Sequence, residues 1–166
     1  MMTKRHFLLG SVAALGAGMA ARLGAGTPSM AAPAPSGGFD VVKTDAEWRR
    51  TLTAEQYRVL RDHGTERAGT SPLDHEKRSG LFNCAGCAQP VFSSEAKYDS
   101  GTGWPSFFKP LPQAVGTSED RSWFAVRTEV HCARCGGHLG HVFDDGPEPT
   151  GLRYCMNGVA LDFVPA

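Results

Sequence analysis

Cys84-Ala-Gly-Cys87 and Cys132-Ala-Arg-Cys135 constrain this chain more than any other feature: they are two C-x-x-C pairs with 44 residues between them. Each pair sits on a turn-like segment, with Gly86 inside the first and Gly136-Gly137 directly after the second. Two thiolates on one tight turn can aim both sulfurs at one point. Two such knuckles supply the four sulfurs of a tetrahedral zinc site. Soft thiolates favour Zn2+ or an iron–sulfur cluster over hard cations. Structural disulfides would use the same residues in an oxidising compartment. A thioredoxin-like redox pair would need a βαβ context, which this sequence lacks. The gap exceeds that of an ordinary zinc finger, so a metal here would tie together distant parts of a larger domain.

A chain of 166 residues allows one domain with its own core. Hydrophobic residues make up 41% and charged residues 20%, which excludes disorder throughout. The 20 glycines and 11 prolines point to many turns and a β-rich body. Acids and bases balance at 17 each, against a dedicated nucleic-acid binder.

The amino terminus reads as an address. Lys4 and Arg5 precede an apolar run over 7–21, broken by Gly10, Gly16 and Gly18, and Ser29-Met30-Ala31 offers a small-residue cleavage site. The run falls short of the roughly 20 residues a membrane-spanning helix needs, so no stable membrane insertion is expected after cleavage. Thr3-Lys4-Arg5-His6-Phe7-Leu8 resembles the twin-arginine export motif, with Lys for the first Arg; the Sec route stays open. The expected division is therefore an export signal over 1–31, a Pro- and Gly-rich linker over 32–39, and one domain over 40–166 in a periplasmic or otherwise exported protein. Loss of Lys4, Arg5 and Arg22 leaves 14 bases against 17 acids, which gives no basic patch for phosphate.

Within the domain, Thr44 with Glu47 and Thr53 with Gln56 form two capping boxes. Trp48 with Leu52, and Tyr57 with Leu60, then give apolar pairs at helical spacing, and Gly64 can end the second helix. Short β-like runs follow over 80–83, 90–92, 123–130, 141–144, 152–156 and 160–164. The expected body is two short helices followed by an antiparallel β core.

Cys155 is the unpaired thiol. If 152–157 is extended, Arg153, Cys155 and Asn157 share one side, and a guanidinium beside a thiol favours the nucleophilic thiolate. A core face would seldom carry both Arg and Asn. His138 and His141 lie close enough to act as general acids near neutral pH, or as metal ligands. His63, His75 and His131 have no comparable context. In Gly101-Thr-Gly-Trp-Pro-Ser-Phe107 the glycines permit a tight backbone path, and Pro105 stiffens the residue after Trp104. Such a loop can present an indole at the edge of a pocket, whereas Trp48 and Trp123 read as core.

Taken together, Ser-Gly-Thr-Gly-Trp-Pro-Ser-Phe, the two knuckles, Gly-His-Leu-Gly-His-Val-Phe-Asp-Asp-Gly-Pro and Arg-Tyr-Cys-Met-Asn resemble the type B methionine sulfoxide reductases across residues 40–164. The resemblance implies two antiparallel β-sheets, short amino-terminal helices, and one structural Zn2+ held by Cys84, Cys87, Cys132 and Cys135 between two loops. It implies reduction of the R epimer of methionine sulfoxide in oxidised proteins or peptides. Cys155 would be the nucleophile, and His138, His141 and Asn157 would meet the sulfoxide oxygen. Trp104 would hold the methyl group, Arg153 would lower the thiol pKa, and Asp145 would support it. Many relatives carry a resolving cysteine where this chain has Thr102, so the expected reductant is external and thioredoxin-like, acting on a monomer. Relatives often have Ile or Val, and then Ser, at the positions of Met156 and Gly158. Two other readings stand beside it. A non-catalytic zinc-scaffold binding module would leave Cys155, Arg153, both histidines and Trp104 unexplained, and a general thiol–disulfide oxidoreductase would need one C-x-x-C to cycle.

Overall fold

The computed structural model describes residues 38–122 and 125–166. The expected export signal, the linker up to Gly37, and Trp123 and Phe124 lie outside the described residues. Among the described residues no helix is long and apolar enough to cross a membrane.

Helices α1 (Asp45–Thr51) and α2 (Ala54–Leu60) both begin with the capping boxes read from the sequence. Thr44 Oγ1 accepts from the Glu47 amide at 3.3 Å, and the Glu47 carboxylate accepts from the Thr44 amide at 2.8 Å. The same exchange joins Thr53 and Gln56, at 3.2 and 3.0 Å. Trp48, Leu52, Tyr57 and Leu60 are buried. Gly64 does not end α2: the helix stops at Leu60 with Arg61 as its cap, and the Gly64 amide reaches back to the Arg58 carbonyl at 2.9 Å.

Nine strands follow among the described residues: β1 (Gly80–Cys84), β2 (Pro90–Ser93), β3 (Lys97–Tyr98), β4 (Ser106–Phe107), β5 (Val115–Asp120), β6 (Arg127–Cys132), β7 (His138–Phe143), β8 (Arg153–Met156) and β9 (Leu161–Pro165). They form a sheet in the order β2-β1-β9 and a larger one in the order β3-β4-β8-β7-β6-β5, antiparallel throughout. The molecule is thus mainly β, as expected. Strands β3, β4 and β5 have no counterpart among the expected runs. The expected 123–130 strand is displaced to Arg127–Cys132, and β7 begins at His138 instead of residue 141.

The core lies between the sheets. Phe92 stacks on Phe107 with ring centroids 4.4 Å apart, and Phe82 meets Phe107 edge-on at 4.9 Å. Tyr154 and Met156 of β8 are buried, whereas Arg153 and Cys155 on its other side are only partly so. This alternation directs the Cys155 thiol away from the apolar core. Phe39, assigned to the linker by composition, packs edge-on against His131 with centroids 5.8 Å apart.

Candidate active site

The two knuckles repeat one backbone design. Cys84 ends β1 and Cys132 ends β6, and each carbonyl accepts from the amide four residues on, at Ala88 (2.8 Å) and Gly136 (2.9 Å). Those two residues have positive φ, 59° and 67°. The Cys84 and Cys132 amides donate to the carbonyls of Gln89 and Gly137, at 2.8 and 2.9 Å. Four sulfurs from two different sheets thereby converge, all within 4.8 Å of one another. The Sγ atoms of Cys84 and Cys135 are 3.7 Å apart, and those of Cys87 and Cys132 are 3.5 Å apart. A tetrahedral zinc with Zn–S near 2.3 Å needs sulfur–sulfur edges of about 3.8 Å. The four cysteines therefore fit a metal and carry no disulfide.

Cys155 stands apart from this cluster. On β8 it pairs with Ser106 of β4 on one side and His141 of β7 on the other; His141 in turn pairs with Glu129 of β6, and Glu129 with Ser118 of β5. Directly opposed residues share a sheet face. One row across the larger sheet therefore reads Ser106, Cys155, His141, Glu129, Ser118.

Acids that had no local sequence signature hold both imidazoles. His138 is 2% exposed and its Nδ1–H donates to Glu129 Oε1 at 2.7 Å, while its Nε2 is buried without a protein partner. His141 Nε2–H donates to Asp120 Oδ2 at 2.8 Å, and Arg127 reaches the same oxygen at 2.7 Å. The two rings lie 5.3 Å apart, edge to face. Burial opposes charge on Glu129, but hydrogen bonds from His138 and Ser118 overcome it and hold the carboxyl down at about 2. The Ser122 hydroxyl and amide, with His141 and Arg127, keep Asp120 ionised far below the ordinary carboxylate range. Burial lowers the pKa of His141 despite its bond to Asp120.

On the other flank, Arg153 makes a two-pronged bond to Asp145, 2.8 Å at each prong, and lies over the Phe143 ring. Burial pushes the Cys155 thiol above its ordinary 9.0; the Thr102 hydroxyl and the Arg153 charge pull it down but do not prevail. Thr102 Oγ1 is 3.8 Å from Cys155 Sγ, and a chain of hydroxyls continues to Ser100 at 2.8 Å and from there to Ser106 at 2.7 Å. Gly101 and Gly103, with φ of 69° and 85°, make the bend that brings Thr102 there. At Gly103 a Cβ would lie 2.8 Å from the Gly69 amide nitrogen. A cleft of about 410 Å³ opens beside this group, lined by Tyr98, Thr102, Asp145 and Arg153 among others.

Asn157 departs from the alternation expected of it. Strand β8 ends at Met156, and Asn157 is buried, its Oδ1 accepting from the Glu66 amide at 2.9 Å and its Nδ2 donating to the Leu139 carbonyl at 3.1 Å. Glu66, which had no sequence signal, is the hub of this region. Its carbonyl accepts from Trp104 Nε1 at 3.2 Å, and its carboxylate accepts from the amides of Gly158 (2.5 Å) and Val159 (3.0 Å). Gly158 is required here, since a Cβ would sit 1.8 Å from Ser71 Oγ. His63, set aside in the sequence, places Nδ1 3.0 Å from Glu129 Oε1.

A partly buried thiol with an imidazole on the neighbouring strand thus lies on one face of a β-sheet, apart from four sulfurs placed to hold a metal. The SelR domain profile matches residues 52–165. A peptide methionine sulfoxide reductase MsrB of Agrobacterium fabrum is 56% identical over 126 residues, covering 75% of this chain and 93% of the relative. MsrB of Thiobacillus denitrificans is 56% identical over 127 residues (76% and 96%), and that of Methanosarcina mazei is 52% identical over 125 (75% and 89%). The chain belongs to the SelR-domain family, that of the MsrB proteins.

Proposed function

We propose that this chain is an oxidoreductase that returns the R epimer of methionine sulfoxide, in oxidised proteins and peptides, to methionine. The reading rests above all on the register that sets half-buried Cys155 between Ser106 and His141, on the side of β8 turned from the core. A sulfoxide sulfur is a poor electrophile until its oxygen takes a proton, so the chemistry needs a thiolate and an acid together. Cys155 Sγ attacks, the sulfur–oxygen bond of the substrate breaks, and the oxygen ends on Cys155 as sulfenic acid while methionine leaves.

The surrounding residues divide the work. With Nδ1 committed to Glu129, His138 meets the oxygen through Nε2, and His141 assists beside it. Trp104 holds the sulfur-bound methyl. Arg153, oriented by Asp145, favours the thiolate once substrate is in place. Asn157, bonded to backbone at both amide ends, holds the turn after Cys155 instead of touching the oxygen. Epimer choice follows from three fixed points: thiol, imidazoles and indole. A wrong epimer with its methyl on Trp104 turns its oxygen away from the histidines.

Zinc is the ion we assign to Cys84, Cys87, Cys132 and Cys135; it ties two hairpins together and takes no part in the redox step. With Thr102 beside Cys155, no free thiol is in place to close a disulfide. An external thioredoxin-like dithiol therefore attacks the sulfenic sulfur, releases water and forms a mixed disulfide, and its second thiol frees Cys155. The enzyme acts as a monomer in the periplasm after its export signal is removed. Mass spectrometry after one turnover without reductant tests this scheme. One added oxygen on Cys155 is expected, and a disulfide from Cys155 to another cysteine of the chain refutes it.

A further inference from the structure

We propose that His63, Glu129 and His138 form a second metal site, distinct from the four cysteines, which takes a divalent transition ion such as Zn2+ and whose occupation stops catalysis. The two imidazoles converge on one carboxylate: His138 Nδ1 lies 2.7 Å and His63 Nδ1 3.0 Å from the same Glu129 Oε1. Their ring centroids are 5.1 Å apart, and the three ligand atoms lie within 4.8 Å of one another. Two imidazole nitrogens and a carboxylate oxygen are a donor set that suits zinc and its neighbours, with a fourth position left for water. Around a tetrahedral ion with bonds near 2.0 Å, ligand atoms stand about 3.3 Å apart, so each contact needs to open by only a few tenths of an ångström.

Three further observations favour a site over a chance meeting of polar groups. His63 has left-handed backbone, φ 52°, a conformation that costs a non-glycine residue about 1 kcal/mol or more and that marks functional positions. Glu129 is fixed from behind by Ser118, the kind of supporting contact that orients a metal ligand. The site is also accessible, because the His63 side chain is 63% exposed while His138 and Glu129 beneath it are buried. An ion can enter past His63, exchange with solvent, and bind more weakly than one locked among four thiolates.

Inhibition rests on the function proposed above. An ion on His138 Nδ1 replaces the hydrogen bond by which Glu129 orients the ring, so the imidazole assigned above to the sulfoxide oxygen is held as a metal ligand instead.

The test uses the full chain with its cysteine site already filled, in thiol-free buffer, and ZnCl2 as probe. Calorimetry and metal analysis should find a second zinc in the wild type and in Cys155→Ser. In His63→Asn, which keeps a residue tolerant of left-handed backbone, the affinity of that second zinc should fall at least about 100-fold. In single-turnover assays, which need no chelating reductant, added zinc should stop the wild type and spare His63→Asn, whose rate without zinc is unchanged. The site is refuted if no second zinc binds, if it survives His63→Asn, or if it vanishes with Cys155→Ser, which would make the thiol its ligand. Binding as expected with full turnover refutes the inhibition. Were the wild type inactive on sulfoxides even without zinc, the proposed function would fail while the stoichiometry still decided the site.

Discussion

Glu66→Gln is the substitution that should cost most for the smallest change in volume. The Glu66 carboxylate is buried, and its two oxygens accept from the Gly158 and Val159 amides at 2.5 and 3.0 Å. Glutamine keeps one acceptor and turns an NH2 group onto the other amide, and it removes the charge from both bonds. Hydrogen bonds to a charged group contribute about 1.5–3 kcal/mol each, and a buried donor left facing a donor costs about as much. The cleft of about 780 Å³ that Glu66, Gly158 and Val159 help to line can admit water, which favours the lower end of that range. A loss of about 3 kcal/mol follows, and a Tm lower by about 10 °C for a domain of this size. Because the Glu66 main chain also holds Trp104 and Asn157, the turn after Cys155 should loosen before the fold is lost. At a temperature where both proteins are folded, kcat/KM should fall at least tenfold (about 1.4 kcal/mol), carried largely by KM as the indole wall shifts. Calorimetry with steady-state kinetics decides. A Tm within about 2 °C of wild type with unchanged kcat/KM refutes the hub role.

Alkylation of Cys155 by iodoacetamide should accelerate with pH up to a midpoint above the ordinary 9.0, because burial outweighs Arg153 and Thr102; Arg153→Ala should move the midpoint higher, and a wild-type midpoint near 7 would contradict this. Ala88→Gly should stabilise the protein by up to about 1 kcal/mol by relieving the left-handed residue of the first knuckle, and a lower Tm would show that its Cβ is needed for packing. Cys132→Ser should lose its metal and several kcal/mol of stability, since binding at a structural site is folding free energy; a metal-free variant equally resistant to heat would refute that role. Unfolding in acid should steepen between an ordinary carboxyl pKa of 4.5 and about 2, where Glu129 keeps its charge only in the folded state. Its depressed pKa stabilises the fold above that window and is lost below it, so Glu129→Gln should flatten the acid limb.

How much of this was legible in the sequence depended on how local each cause is. Both capping boxes close within four residues, so Thr44 with Glu47 and Thr53 with Gln56 could be read directly. The cysteine knuckles were equally readable, because spacing alone carries them. Strands β3 and β4 are two residues each and exist only because β8 and each other supply partners, so no run of residues announces them. Strand β5 reads Val-Gly-Thr-Ser-Glu-Asp, a polar edge whose strand character comes from pairing with β6. Glu129, Asp120, Glu66 and His63 stayed hidden for the same reason. A lone acid or histidine acquires its role from what the register and the loops set against it. The one available signal was the alternation of β6 opposite His141, which points Glu129 to the face of Cys155 once the hairpin register is known.

The proposed division of sulfurs, four for a metal and the fifth for chemistry, is open to a direct test. Turnover of the separate R and S epimers of a methionine sulfoxide peptide should be measured for mature wild type beside Cys155→Ser, with zinc content recorded on both. Wild type should consume only the R epimer, and Cys155→Ser should be inactive with its zinc unchanged. Equal loss of both epimers, or a serine variant that retains activity or sheds its metal, would contradict it.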